Sequence, residues 1–232
     1  MPPPWVVGKT FLEFLVSGEL LFKLYNTVLA ILVGLVASVI ITTIMTTAAL
    51  LFTRAAYIVE VLTTIMHPMP SVAMIPLVIV WIGIGFPGVV ALTINSCLWP
   101  IILNSYTGFK TVHQTYIEVG RNIGLKGLKL FWHVILPSAL PYLITGIEIS
   151  WARSWRAAIA VELVFGAATT SGGIGWTIYM SYFDMETPLL IAAIFTIAAV
   201  GVLAEKLVME TIEKRTVLRW GMVQLTETMG AR

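Results

Sequence analysis

The chain has 232 residues, 58% of them hydrophobic and 11% charged, with a formal net charge of +2 and a mean hydropathy of +0.93. A soluble domain is about 45–50% apolar and about 25% charged, so a soluble core of this length could not hide this much apolar surface, and lipid is the solvent that fits. The single cysteine, Cys97, excludes a disulfide framework and a multi-cysteine metal site, and the small net charge carries no nucleic-acid signal.

The N-terminus reads Met1-Pro2-Pro3-Pro4-Trp5, with no basic stretch leading into an apolar core, so no cleavable signal peptide is expected. Phe11, Leu12, Phe14 and Leu15 against Glu13 and Glu19 give residues 1–25 an amphipathic pattern that suits an external segment lying on the outer membrane surface. A bilayer-spanning helix needs about 20 mostly apolar residues. Five stretches qualify: 26–52, free of charge; 57–84, interrupted by Pro68, Pro70 and Pro76; 87–109, with Pro100 inside; 140–165; and 187–208. The expected fold is an all-α integral membrane protein of about five transmembrane helices. Its membrane domain covers 26–210, including a long connection at 109–139, and a tail follows over 211–232.

The basic residues orient these spans. Arg54, then Lys110, Arg121, Lys126 and Lys129, then Lys206, Lys214, Arg215, Arg219 and Arg232 fall on one side; Lys9 and Lys23 fall on the other; Arg153 and Arg156 lie within the fourth span. An excess of Lys and Arg marks the cytoplasmic side. The N-terminus is therefore expected outside, the C-terminus and the 109–139 connection inside, and the 166–186 connection outside. That outer connection contains Ser171-Gly172-Gly173-Ile174-Gly175-Trp176, a pattern that fits an ordinary loop or a gate or docking surface for an external partner.

The 109–139 connection carries the strongest signal. It reads Glu118-Val119-Gly120-Arg121-Asn122-Ile123-Gly124, then nine residues, then Val134-Ile135-Leu136-Pro137. A short helix near 112–123 would end at Gly124, a good C-terminal cap, and a second would follow and stop before Pro137. Two short helices joined by glycine make a compact knob below the membrane. Glu118 projects one anion from it, among Arg121, Lys126 and Lys129. Such a knob can seat in a cleft of a cytosolic protein and pass on its motion; the alternative is a solvated loop with scattered charges.

This spacing resembles the EAA motif of binding-protein-dependent ABC importer permeases: Glu-Ala-Ala, three residues, Gly, nine residues, Ile-x-Leu-Pro. Val119-Gly120 stands for Ala-Ala and Val134 for Ile, keeping side chains small or apolar. The resemblance covers nearly the whole chain. Pro68, Pro70-Ser71-Val72-Ala73 and Ile75-Pro76-Leu77 are similar to a proline-rich run of the permeases for nitrate, taurine and alkanesulfonates. Trp81-Ile82-Gly83-Ile84-Gly85, the stretch 141–146, Glu162-Leu163, Gly173-Ile174-Gly175 and Arg219-Trp220-Gly221 also fit. The resemblance implies a type I ABC importer permease fold. Its members usually have six spans, and Pro2-Pro3-Pro4 resembles the stretch just after their first helix, so that helix is expected to be absent or lost to a later start site.

The resemblance further implies a homodimer of permeases, two cytosolic ABC ATPase subunits, and an external solute-binding protein that delivers the solute. The ATPases would bind ATP and Mg and grip the loop through Glu118, Gly120, Arg121, Gly124, Leu136 and Pro137. The cargo would be a small anion such as nitrate, a sulfonate or taurine. The chain itself would be a non-catalytic subunit without a cofactor, multi-pass in the cell (inner) membrane. No Gly-rich loop ending in Gly-Lys-Ser/Thr is present for nucleotide.

Inside the membrane, Arg153 and Arg156 lie three residues apart, near Glu148 and Glu162, and the two arginines and Glu162 are candidates for the translocation path. Charge at that depth is costly and faces a bundle interior or a watery cavity. Either the two arginines share a helix face and offer a passing anion a fork of donors, or Glu148 or Glu162 neutralises an arginine within the bundle. Pro70 and Pro76 free backbone groups that are tolerated at membrane depth only when buried in protein or facing water. That places the broken span beside the translocation path, although any single proline also fits a packing kink. His67, His113 and His133 show no metal spacing. Of the rival classes, an ATP-independent channel or carrier would not need the knob. A membrane-embedded enzyme would need a nucleophile with a base, which the cluster of Glu148, Glu162 and the two arginines lacks.

Overall fold

Apolar runs without a breaker grow into helices that satisfy every backbone group internally, as lipid demands. The computed structural model describes residues 2–165 and 172–209, and no strand occurs among them. The elements are α1 (Pro4–Val16), α2 (Glu19–Leu51), α3 (Thr53–Met66), a 3-10 turn (Ser71–Met74), α4 (Ile75–Trp81), α5 (Phe86–Lys110), α6 (Gln114–Asn122), α7 (Gly127–Leu130), a π-turn (Phe131–Ile135), α8 (Leu136–Phe165), α9 (Ile174–Phe183) and α10 (Thr187–Ala204), which passes into a second π-turn (Glu205–Met209). Residues 166–171, and the tail with Lys214, Arg215, Arg219 and Arg232, lie outside the described residues.

Four helical stretches are long and apolar enough to cross a membrane unaided: Glu19–Leu51, Phe86–Lys110, Gly127–Phe165 and Thr187–Leu207. A fifth is the pair Thr53–Met66 and Ser71–Trp81, bent by 96°. Its prolines explain the bend. Pro70 caps the 3-10 turn and Pro76 opens α4, positions where a missing N–H costs nothing.

Register shows that the bent pair is a true crossing. Ile31 of α2 packs with Val89 and Leu92 of α5, the Ser38 hydroxyl reaches the Ile94 carbonyl at 3.3 Å, and Ala49 meets Leu98 and Ile102. Both numbers rise together, so α2 and α5 run parallel, and α3 with α4 must return the chain between them. α8 runs antiparallel to α5. Gly88 lies against Phe165, the Ser150 hydroxyl donates to the Cys97 carbonyl at 2.8 Å, and Gly108 lies against Tyr142. A Cβ at Gly88 or Gly108 would come within 2.6 or 2.7 Å of those partners. Small residues let membrane helices approach this closely, where packing rather than hydrophobicity holds them together. α10 then runs back, from Leu189 beside Phe14 and Ile174 to Gly201 against Trp155. Among the described residues the chain makes five crossings. One end of the bundle carries α6 and α7, the other α1 and α9.

Two boundaries differ from expectation. The helix that follows the 118–124 segment does not stop before Pro137: Gly127–Phe165 is one continuous rod. The Leu136 N–H bonds the Phe131 carbonyl five residues back, and this wider π-turn gives the Pro137 ring room just beyond it. The helix that carries the first apolar run starts at Glu19, ahead of residue 26, because nothing between them breaks a helix. Gly18, at φ +77°, makes the turn from α1. α1 packs Phe14 against Leu20 and Ile174 and leaves Trp5 and Val16 exposed.

Candidate functional site

The 118–124 segment folds as a knob. His113 caps α6. At its other end the Gly124 N–H donates to the Arg121 carbonyl and the Leu125 N–H to the Gly120 carbonyl, both at 3.0 Å, with Gly124 at φ +87°. This paired 5→2 and 6→1 closure needs a left-handed residue, which glycine supplies without strain. Gly120 is buried where α6 crosses α7: a Cβ there would lie 2.6 Å from Leu130 Cδ1 and 3.0 Å from Val134 Cγ2. The small residue is a packing requirement. Phe131 holds the knob to the bundle through Phe109, with ring centroids 5.9 Å apart.

The outer face of the knob is unusual for a solvated loop. Glu118 and Arg121 are exposed beside Tyr116, Val119, Ile123 and Leu128, the last two 71% and 77% exposed. Exposed apolar residues among charges are the composition of an interaction surface. Leu136 sits behind the knob, half-buried, and lines a cavity of about 380 Å³ with Thr42, Thr46, Ser105, Phe109 and Phe131; Pro137 follows it, also half-buried.

The arginines part company. Arg153 donates to the His67 carbonyl at 3.0 Å, with the His67 ring 3.5 Å away. The break after α3 frees that carbonyl, so Arg153 staples the broken crossing to α8. A cavity of about 340 Å³ opens beside it, lined by Glu60, Thr63, His67, Pro68 and Tyr106. Pro70 and Pro76 are exposed. Arg156 is exposed, its Nε donating to the Ala152 carbonyl of its own helix at 2.9 Å. Replacing Arg153 with methionine removes a charge-assisted bond of about 1.5–3 kcal/mol. The expected result is a thermal midpoint in detergent lowered by about 3–6 °C, with lysine recovering part of it. An unchanged midpoint would show that the staple carries no load.

Glu162 is buried with a partner that sequence spacing could not suggest. The Thr27 hydroxyl lies 2.7 and 3.0 Å from its two carboxylate oxygens, and the Gly175 N–H donates to it at 2.9 Å. The Ile174 N–H donates in turn to Thr27 Oγ1 at 3.1 Å. Glu162 thus caps α9 across the bundle, its carboxylate set against the positive end of that helix, and ties α2, α8 and α9 together. A Cβ at Gly173 would overlap the carboxylate, and one at Gly175 would meet the Ile159 carbonyl at 2.7 Å, which explains the Gly-Ile-Gly run. Glu148 is half-buried on α8. Among the described residues, no three His, Cys, Asp or Glu side chains gather as a metal site would require.

Residues 38–217 match the family described as binding-protein-dependent transport system inner membrane component. The taurine transport system permease protein TauC of Escherichia coli is 31% identical over 158 residues, covering 68% of this chain and 56% of that one. The nitrate import permease protein NrtB of Leptolyngbya laminosa is 28% identical over 204 residues, covering 88% and 66%. The chain thus spans only part of the length of these relatives. A chain of the MetNI methionine ABC transporter, solved in inward facing conformations, superposes with a TM-score of 0.62 at 18% identity, covering 97% of this chain and all of that one. That likeness is one of fold.

Proposed function

This chain belongs to the binding-protein-dependent transport system inner membrane components, multi-pass membrane proteins, and from that premise we propose that it is the path-forming permease subunit of an ATP-driven ABC importer of small oxyanions. The knob at Glu118–Gly124 carries this reading. Its glycines are fixed by geometry, its outer face is apolar and charged, and a continuous rod joins it to the crossings. Two copies of the chain form the path, and a cytosolic ATPase subunit seats on each knob, contacting Glu118 and Arg121. Gly120, Gly124, Leu136 and Pro137 hold the knob's shape. ATP and Mg belong to the ATPase. An external binding protein delivers solute to the α1–α9 end.

The charge pattern supports this orientation. Arg54, Lys110, Arg121, Lys126 and Lys129 collect at the knob end, and Lys9 and Lys23 at the other; basic residues favour the cytoplasmic face. The 211–232 tail is then cytoplasmic. Relatives named for taurine and nitrate import support an oxyanion cargo. Native mass spectrometry of the gently extracted chain should show two permeases with two ATPase subunits. A chain that emerges alone, or as a plain homo-oligomer, at every detergent strength would overturn the proposal in favour of an ATP-independent channel or carrier.

A further inference from the structure

α8 presents Thr145, Ile149, Ala152 and Arg156 along one exposed stripe. Steps of four, three and four keep these residues on one face of the rod, with Ile149 40% exposed. A lipid-facing stripe could be all apolar, but this one carries a guanidinium. α8 sets Phe165 against Gly88 and Tyr142 against Gly108, near the two ends of α5, so Arg156 lies nine residues from one level and fourteen from the other, inside the crossing. Arginines near helix ends escape such positions by reaching for the nearer interface. Arg156 is not near such an end, and its Nε bonds the Ala152 carbonyl one turn back on its own helix.

Exposed at that depth, the guanidinium needs water or protein across from it. A second copy packed dry along the same stripe would set two cations face to face, which is repulsive in a low-dielectric layer. Water and a counter-anion between them remove the conflict, and a guanidinium is the side chain best shaped to hold a planar or tetrahedral oxyanion.

The geometry points to Arg156 as the specificity-determining residue of a wet seam between two copies of this chain, where the paired guanidiniums select a small oxyanion within the membrane. Arg153 is excluded from that role by its bond to His67. This inference rests on the importer reading and deepens it by naming the residue that meets the cargo.

The test uses the full complex with its ATPase, reconstituted in liposomes and assayed for ATP-driven uptake of ¹⁵N-nitrate and ³⁵S-taurine. Arg156→Gln should cut uptake of the transported anion about tenfold or more, while Arg156→Lys retains an intermediate rate and ATPase docking is unchanged. In parallel, Ala152→Cys is probed with a charged thiosulfonate; Cys97 is fully buried and stays silent. The expected result is labelling from water, slowed by the transported anion, and a disulfide between two copies on oxidation. Quenching of a probe at this position by brominated lipid, or a disulfide without aqueous labelling, would overturn the inference, as would full uptake by Arg156→Gln. Failure of the parent complex to take up either anion with ATP, or uptake indifferent to knob substitutions, would instead strike the importer reading itself.

Discussion

Replacing Gly120 with valine leaves the five crossings in place and cuts ATP-driven uptake by about 5–150-fold, the range of a lost 1–3 kcal/mol coupling. The new Cβ would press on Leu130 and Val134 at 2.6 and 3.0 Å. α6 must then lift from α7, and the outer face around Tyr116, Val119 and Ile123 loses its shape. Glu118→Ala serves as the companion: Glu118 is exposed and supports no packing, so its effect isolates docking from folding. The measurement is uptake by membranes carrying the permease with its ATPase, read beside the amount of ATPase that co-purifies. Both variants should lose ATPase and transport together while the permease elutes as the parent does. Parent-like uptake by both would sink the proposal that force enters through this knob.

The largest stability effect is expected at Glu162. Glu162→Ala leaves the Gly175 N–H without its buried acceptor, leaves the Thr27 hydroxyl only the Lys23 carbonyl at 3.2 Å, and opens a void, at a cost on the order of 3–5 kcal/mol. The thermal midpoint in detergent should fall by roughly 10 °C. Glu162→Gln keeps one carbonyl oxygen as acceptor and should lose less than half as much. A glutamine variant as unstable as the alanine variant would mean that the carboxylate's charge, facing the α9 N-terminus, matters more than its hydrogen bonds. An alanine variant as stable as the parent would mean that α2, α8 and α9 hold together without the clamp.

The sequence announces some of these features and hides others for physical reasons. Length and apolarity reveal the crossings because lipid imposes both. Pro68, Pro70 and Pro76 reveal the broken one because a missing N–H must show somewhere. The knob was legible because Gly120 and Gly124 each answer a geometric demand at fixed spacing. Thr27 with Glu162 and His67 with Arg153 are separated by 135 and 86 residues. Periodicity carries no information at that range, so reading Glu162 as a neutraliser of arginine rested on proximity along the chain alone. The stop expected at Pro137 failed because a π-turn beside a proline leaves no mark in composition. The start of α2 was missed because an apolar window measures the lipid layer, and helices do not end where lipid does.

The continuous Gly127–Phe165 rod has a mechanical consequence. Its 39 residues extend about 58 Å at 1.5 Å per residue, with the knob at one tip and the Glu162 clamp near the other. The rod thus gives the knob a continuous helical link to the α9 clamp. Tilting such a beam by 5° swings its far tip by about 5 Å, more than the clamp's hydrogen bonds can stretch. Under the proposed coupling, a modest stroke at the knob would be geared up into breaking or remaking a latch on the opposite face.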